Sequence, residues 1–73
     1  AGVDAARGAA EDSARLLEAV RQLPVIQRQV VGLALEDMDY SEIAAVLGIS
    51  ATNVGVRLNR ARTSLRKLMG EDL

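Results

Sequence analysis

Asp39-Tyr-Ser-Glu-Ile-Ala-Ala-Val-Leu-Gly-Ile-Ser50 decides the fold, because every local signal in it agrees. Asp39 stands three residues before Glu42, the Asp form of a capping box, in which each side chain takes the other residue's backbone N–H. Met38 just before the cap and Ile43 just inside it have the spacing of a hydrophobic staple. A helix therefore starts at Tyr40, with Ile43, Ala44 and Leu47 as its inner stripe. Gly48 follows Leu47 directly, where a left-handed residue ends a helix. Ile49 and Ser50 then repeat the device, with Ser50 as cap and Ile49 paired with Val54 across it.

Downstream, Ala51-Thr-Asn-Val-Gly-Val-Arg-Leu-Asn-Arg-Ala-Arg-Thr-Ser-Leu-Arg-Lys-Leu68 is one long helix. Val54, Leu58, Ala61, Leu65 and Leu68 step by fours and threes, which keeps one stripe toward a core. Gly70 marks its stop. Two helices joined by a short glycine turn match a helix-turn-helix, whose second helix enters the major groove. Ala44, Gly48, Ile49 and Val54 are small or apolar enough to let the two helices cross closely. An ordinary helical hairpin in a bundle would show the same turn.

Upstream, Leu16, Leu17, Val20 and Leu23 make the buried face of an earlier helix capped by Asp12 or Ser13. Leu23-Pro24 turns the corner, since proline bars helical geometry before it and suits the first turn after it. The next helix runs from Pro24 or Val25 to Leu35 or Glu36, with Ile26, Val30, Leu33 and Ala34 inside and Val31 and Leu35 partly exposed. Gly32 within it costs about 1 kcal/mol relative to Ala, so a close helix–helix approach is expected there. Residues 1–12, rich in Ala and Gly, read as a linker or frayed lead-in, 13–70 as the domain, and 71–73 as a tail. The expected fold is all-α: a small domain of three to four helices ending in a helix-turn-helix with a long recognition helix.

Composition narrows the chemistry. Seventy-three residues allow one small domain. With no Cys and no His, disulfides, Cys/His metal sites and catalytic Cys or His side chains are unavailable. No cofactor is called for. No apolar run reaches the ~18 residues of a membrane span, and a cytoplasmic location is the default. The clustered acids Asp37, Asp39 and Glu42 have no nucleophile beside them, and capping already accounts for two of them, so an enzyme is not expected. The first residue is Ala rather than Met, which reads as a piece of a longer protein.

The net charge of −1 conceals a sorting along the chain. Residues 1–42 carry four arginines and eight acids, whereas residues 43–73 carry Arg57, Arg60, Arg62, Arg66 and Lys67 against two acids. No acid lies between Ile43 and Gly70. A solvated face is the ordinary meaning of such a run, but unpaired positive charge around a second helix favours a phosphate partner.

Leu23-Pro-Val-Ile-Gln-Arg-Gln-Val-Val-Gly-Leu-Ala-Leu35, Tyr40-Ser-Glu-Ile-Ala-Ala-Val-Leu-Gly-Ile-Ser50 and Asn53-Val-Gly-Val-Arg-Leu-Asn-Arg-Ala-Arg-Thr-Ser-Leu-Arg-Lys-Leu68 together resemble region 4 of bacterial sigma factors, most closely the extracytoplasmic-function class. The resemblance covers roughly Leu16 to Met69. It implies recognition of the −35 promoter element in double-stranded DNA through the helix beginning at Ala51, contact with the β-subunit flap of RNA polymerase, and masking by an anti-sigma factor. Arg57, Arg60 and Arg62 match the family's recurrent arginines, which meet phosphates and, near Arg60, base edges. Two departures stand out: Gly55 and Val56 occupy positions where the family usually has Lys or Arg and then Ser, and Asn53 stands where Thr is common.

The expected DNA-binding set is thus Thr52, Asn53, Val56, Arg57, Asn59, Arg60, Arg62 and Arg66. Its base-facing part is small and uncharged, with Asn59 suited to an adenine edge and Val56 to a thymine methyl. Two other readings remain at this point. One is a protein-interaction module of the same fold with weak or lost DNA binding, for which Val31 and Leu35 would be docking positions. The other is the helix-turn-helix of a different transcription regulator, such as a response regulator.

Overall fold

Four helices follow one another: α1 (Gly2–Arg21), α2 (Val25–Leu35), α3 (Tyr40–Leu47) and α4 (Ala51–Leu68). The structure, a computed structural model, describes the backbone of residues 2–70 and the side chains of 12–70. Among the described residues there is no strand, so the domain is all-α, as expected. The tail assigned to 71–73 lies outside the described residues.

The helix ends sit where local chemistry puts them. At α3 the Glu42 N–H donates to Asp39 Oδ1 at 2.8 Å and the Asp39 N–H donates to Glu42 Oε1 at 3.2 Å, closing the capping box. Gly48 ends the helix in the left-handed region at φ 69°, and the Ile49 N–H returns to the Ala44 carbonyl at 3.1 Å. At α4 the Asn53 N–H donates to Ser50 Oγ at 3.0 Å. The end of α2 uses a device not foreseen. Asp37 adopts φ 63°, and the Met38 and Asp37 N–H groups donate to the Leu33 and Ala34 carbonyls at 3.4 and 3.1 Å. This is a Schellman ending with Asp where Gly is usual.

Val30, Ile43 and Val54 are the largest fully enclosed side chains, one from each of α2, α3 and α4. Val20, Leu23, Val31, Leu58 and Ala61 complete the buried cluster, and Met38 and Ile49 pack against it beside their caps. α2 and α4 each pack against all three other helices, and they meet each other most extensively.

Several expectations need correction. α1 shows no start at Asp12 or Ser13 but runs unbroken from Gly2, because the Ala-rich lead-in has high helix propensity. Leu17 is exposed while Ala19 is buried. The inward stripe of α1 is therefore Leu16, Ala19 and Val20, continued by Leu23 just beyond the helix end, the i, i+3, i+4, i+7 set.

In α2, Ile26 is 53% exposed and Val31 only 8%, the reverse of what was expected. Val30, Leu33 and Ala34 lie inside as expected, but Gln27 and Val31 take the inward place given to Ile26, so the buried side is centred on Gln27, Val30, Val31 and Ala34. Gly32 is exposed, and a Cβ there would meet nothing within 4 Å, so no close approach explains it. Leu68, expected inside, is 43% exposed and lines an open groove with Arg15, Glu18, Ala19 and Gln22.

Candidate nucleic-acid interface

Val54, Leu58 and Ala61 anchor α4 to the core, and a turn of about 100° per residue distributes the rest of the helix around them. Thr52, Val56, Asn59 and Thr63 fall on the line opposite that anchor. All four are exposed, Val56 at 41%. Thr63 offers little of its own, since its hydroxyl donates to the Asn59 carbonyl at 3.3 Å. The outermost line is thus uncharged and short.

Bases flank this line on both sides. Asn53, Arg57 and Arg60 lie on the α2 side, where they share a cleft of about 320 Å³ with Pro24, Ile26 and Gln27. Arg62 and Arg66 lie on the other side, and both are exposed. Lys67 is exposed near the outer line. Among the described residues the ion pair is Arg21 with Glu18 at 3.7 Å within α1, so the bases of α4 carry no acidic partner there.

Of the eight residues expected to meet DNA, seven are exposed and Arg57 is half-buried. They do not form one cluster. Thr52, Val56 and Asn59 make the outer line, Asn53, Arg57 and Arg60 share the α2 cleft, and Arg62 and Arg66 stand apart on the opposite flank.

Two residues were missed. Tyr40, the first residue of α3, has its ring over Gly55: a Cβ at Gly55 would lie 3.3 Å from Tyr40 Cε2 and 3.9 Å from Cδ2. The departure at Gly55 therefore has a packing partner. Gln27 was not among the inner positions expected of α2, yet its Oε1 is buried without a hydrogen-bond partner. The Gln27, Val30, Val31, Ala34 spacing was the available signal for it, and the polarity of its side chain hid that signal.

A short capped helix, a left-handed glycine turn and a second helix that buries one stripe and exposes a base-flanked, uncharged line define a helix-turn-helix DNA-binding domain. Comparison with protein families specifies it further. The model of the family described as Sigma-70, region 4, matches residues 13–65, and the chain belongs to that family. It is a DNA-binding domain of sigma factors, the proteins of transcription initiation, and not a member of an enzyme family. No curated protein and no solved structure matches the chain significantly. No helix among the described residues is long and apolar enough to cross a membrane.

Proposed function

We propose that this domain recognises the −35 promoter element as the C-terminal domain of an extracytoplasmic-function sigma factor, acting in the cytoplasm. The observation that carries the reading is the division of α4 into an exposed uncharged line and two basic flanks. Asn53, Arg57, Arg60, Arg62 and Arg66 fix the helix on the backbone from its two flanks, while Thr52, Val56 and Asn59 face the base edges. Asn59 pairs with an adenine edge and Val56 packs on a thymine methyl.

Fluorescence anisotropy with labelled duplexes at two salt concentrations tests this. If four of the bases meet phosphates, affinity falls about 100-fold between roughly 50 and 200 mM salt. Alanine at Arg57, Arg62 or Arg66 weakens binding to all sequences and flattens the salt slope by about one unit each. Val56→Ser and Asn59→Ala change the ranking of sequences more than the mean affinity. Absence of binding at low salt would sink the proposal in favour of an interaction module.

A second surface supports polymerase contact. Arg28, Gln29, Gly32, Leu33, Glu36, Val46 and Leu47 line a groove between α2 and α3, with Val46 60% exposed and Leu35 also exposed. Val31, once a docking candidate, is buried, and Val46 takes its place. We assign this groove to the β-subunit flap of RNA polymerase, with an anti-sigma factor as a competitor for it. Val46→Asp should abolish flap binding and leave DNA binding intact, which a pull-down with the isolated flap and the anisotropy assay read separately.

A further inference from the structure

The α2 flank of α4 contains a polar atom out of keeping with its surroundings. Gln27 occupies a place in the inward stripe of α2, and its Oε1 is buried and accepts no hydrogen bond. A buried acceptor left unmatched is destabilising, and an apolar residue of similar shape would remove that cost. The cleft lined by Gln27 also holds Asn53, Arg57 and Arg60, so every other polar side chain around it is a donor-bearing group of α4.

Among these, Arg57 is half-buried whereas Asn53 and Arg60 are exposed. Arg57 is the one base of α4 whose side chain is partly enclosed. Among the described residues no hydrogen bond or ion pair holds it. The two ends of a Gln amide are distinguished by their surroundings. Two guanidinium groups in the lining make the oxygen, rather than the NH₂, the end that belongs there.

We infer that Gln27 is a positioning residue for Arg57: when Arg57 meets a DNA phosphate, one of its N–H groups donates to Gln27 Oε1. A guanidinium presents five donors in a fixed fork, more than one phosphate oxygen pair accepts, so a donor remains for the protein side. Holding that side restricts a side chain that otherwise loses considerable rotamer freedom on binding. Gln27 thereby strengthens DNA binding without touching DNA and without contributing charge. The inference rests on the DNA-binding reading above.

The test is a double-mutant cycle on the full 73-residue chain, read by anisotropy with a labelled random-sequence duplex at low and moderate salt. Phosphate contacts are sequence-independent, so the promoter need not be known. Gln27→Leu should weaken binding about 3- to 10-fold with the salt slope unchanged. Arg57→Ala should weaken it and lower the slope by about one. Adding Gln27→Leu to Arg57→Ala should change nothing further. The thermal midpoint of Gln27→Leu should equal or exceed that of the wild type, because the buried acceptor is gone, and Gln27→Met serves as a second variant if Leu packs poorly.

Additive effects in the cycle would overturn the inference. So would lowered midpoints in both variants, which would mean that the amide is already satisfied in the free protein. Failure of the wild-type domain to bind the duplex at low salt would overturn the DNA-binding reading and this inference with it. Wild-type binding with an additive cycle would overturn this inference alone.

Discussion

Replacing glycine by alanine at two positions of this domain should have opposite effects. At Gly32, inside α2 and exposed, a Cβ would meet nothing within 4 Å, so the gain is the helix-propensity difference, about 0.8–1.0 kcal/mol. At Gly48 the surroundings are equally open, but φ is 69°. The whole effect there is the backbone penalty of an L-residue in the left-handed region, about 1–2 kcal/mol. In a domain of this size each kcal/mol moves the thermal midpoint by about 4–8 °C. Circular-dichroism melts should therefore place Gly32→Ala several degrees above the wild type and Gly48→Ala several degrees below.

Gly55→Ala supplies an intermediate case. It has the same propensity gain, but the Tyr40 ring 3.3 Å away must give by a few tenths of an ångström, so its midpoint should fall below that of Gly32→Ala. A Gly32→Ala variant no more stable than the wild type would refute the open surroundings assigned to α2's outer face. A stabilised Gly48→Ala would refute the left-handed ending of α3.

The other expectations concern the turns and the charge of α4. Asp37→Gly should stabilise the domain by about 0.5–1 kcal/mol, because the residue already sits at φ 63° where glycine carries no steric cost; a urea midpoint that does not rise would count against the Schellman ending of α2. Asp39→Ala removes the cap that holds the Glu42 N–H at 2.8 Å and should cost about 1 kcal/mol, whereas Asp39→Ser should recover most of that loss in the same measurement. Gly55→Lys adds a base beside the outer line and should steepen the salt dependence of DNA binding by about one unit; an unchanged slope would show that position 55 points away from the backbone of the duplex.

What was legible in the chain was whatever depends on neighbours a few residues apart. The Asp39–Glu42 box, the left-handed Gly48 and the Ser50 cap involve groups within one turn of each other, so spacing alone located both helix starts. The phase of α2 was not legible in that way. It depends on which side α4 and α3 occupy, and the deciding member of its buried stripe, Gln27, carries the wrong polarity for a reading built on apolar residues.

Gly32 misled for a related reason, since a glycine in a helix signals either crowding or indifference and only the surrounding space tells them apart. The candidate interface was readable as a list of bases and polar residues. Its division into an outer line and two flanks was not, because that division depends on where α2 and α3 lie against α4. Tyr40 over Gly55 joins residues from two helices that no pattern within either one connects.

Because Val54, Leu58 and Ala61 hold α4 from behind while Thr52, Val56 and Asn59 look outward, its two sets of residues can vary almost independently. The outward positions form an exchangeable cassette. Under the proposed readout, a lineage or a designer can rewrite three side chains to address a different set of promoters without renegotiating the core, and so derive many regulators with separate targets from one scaffold.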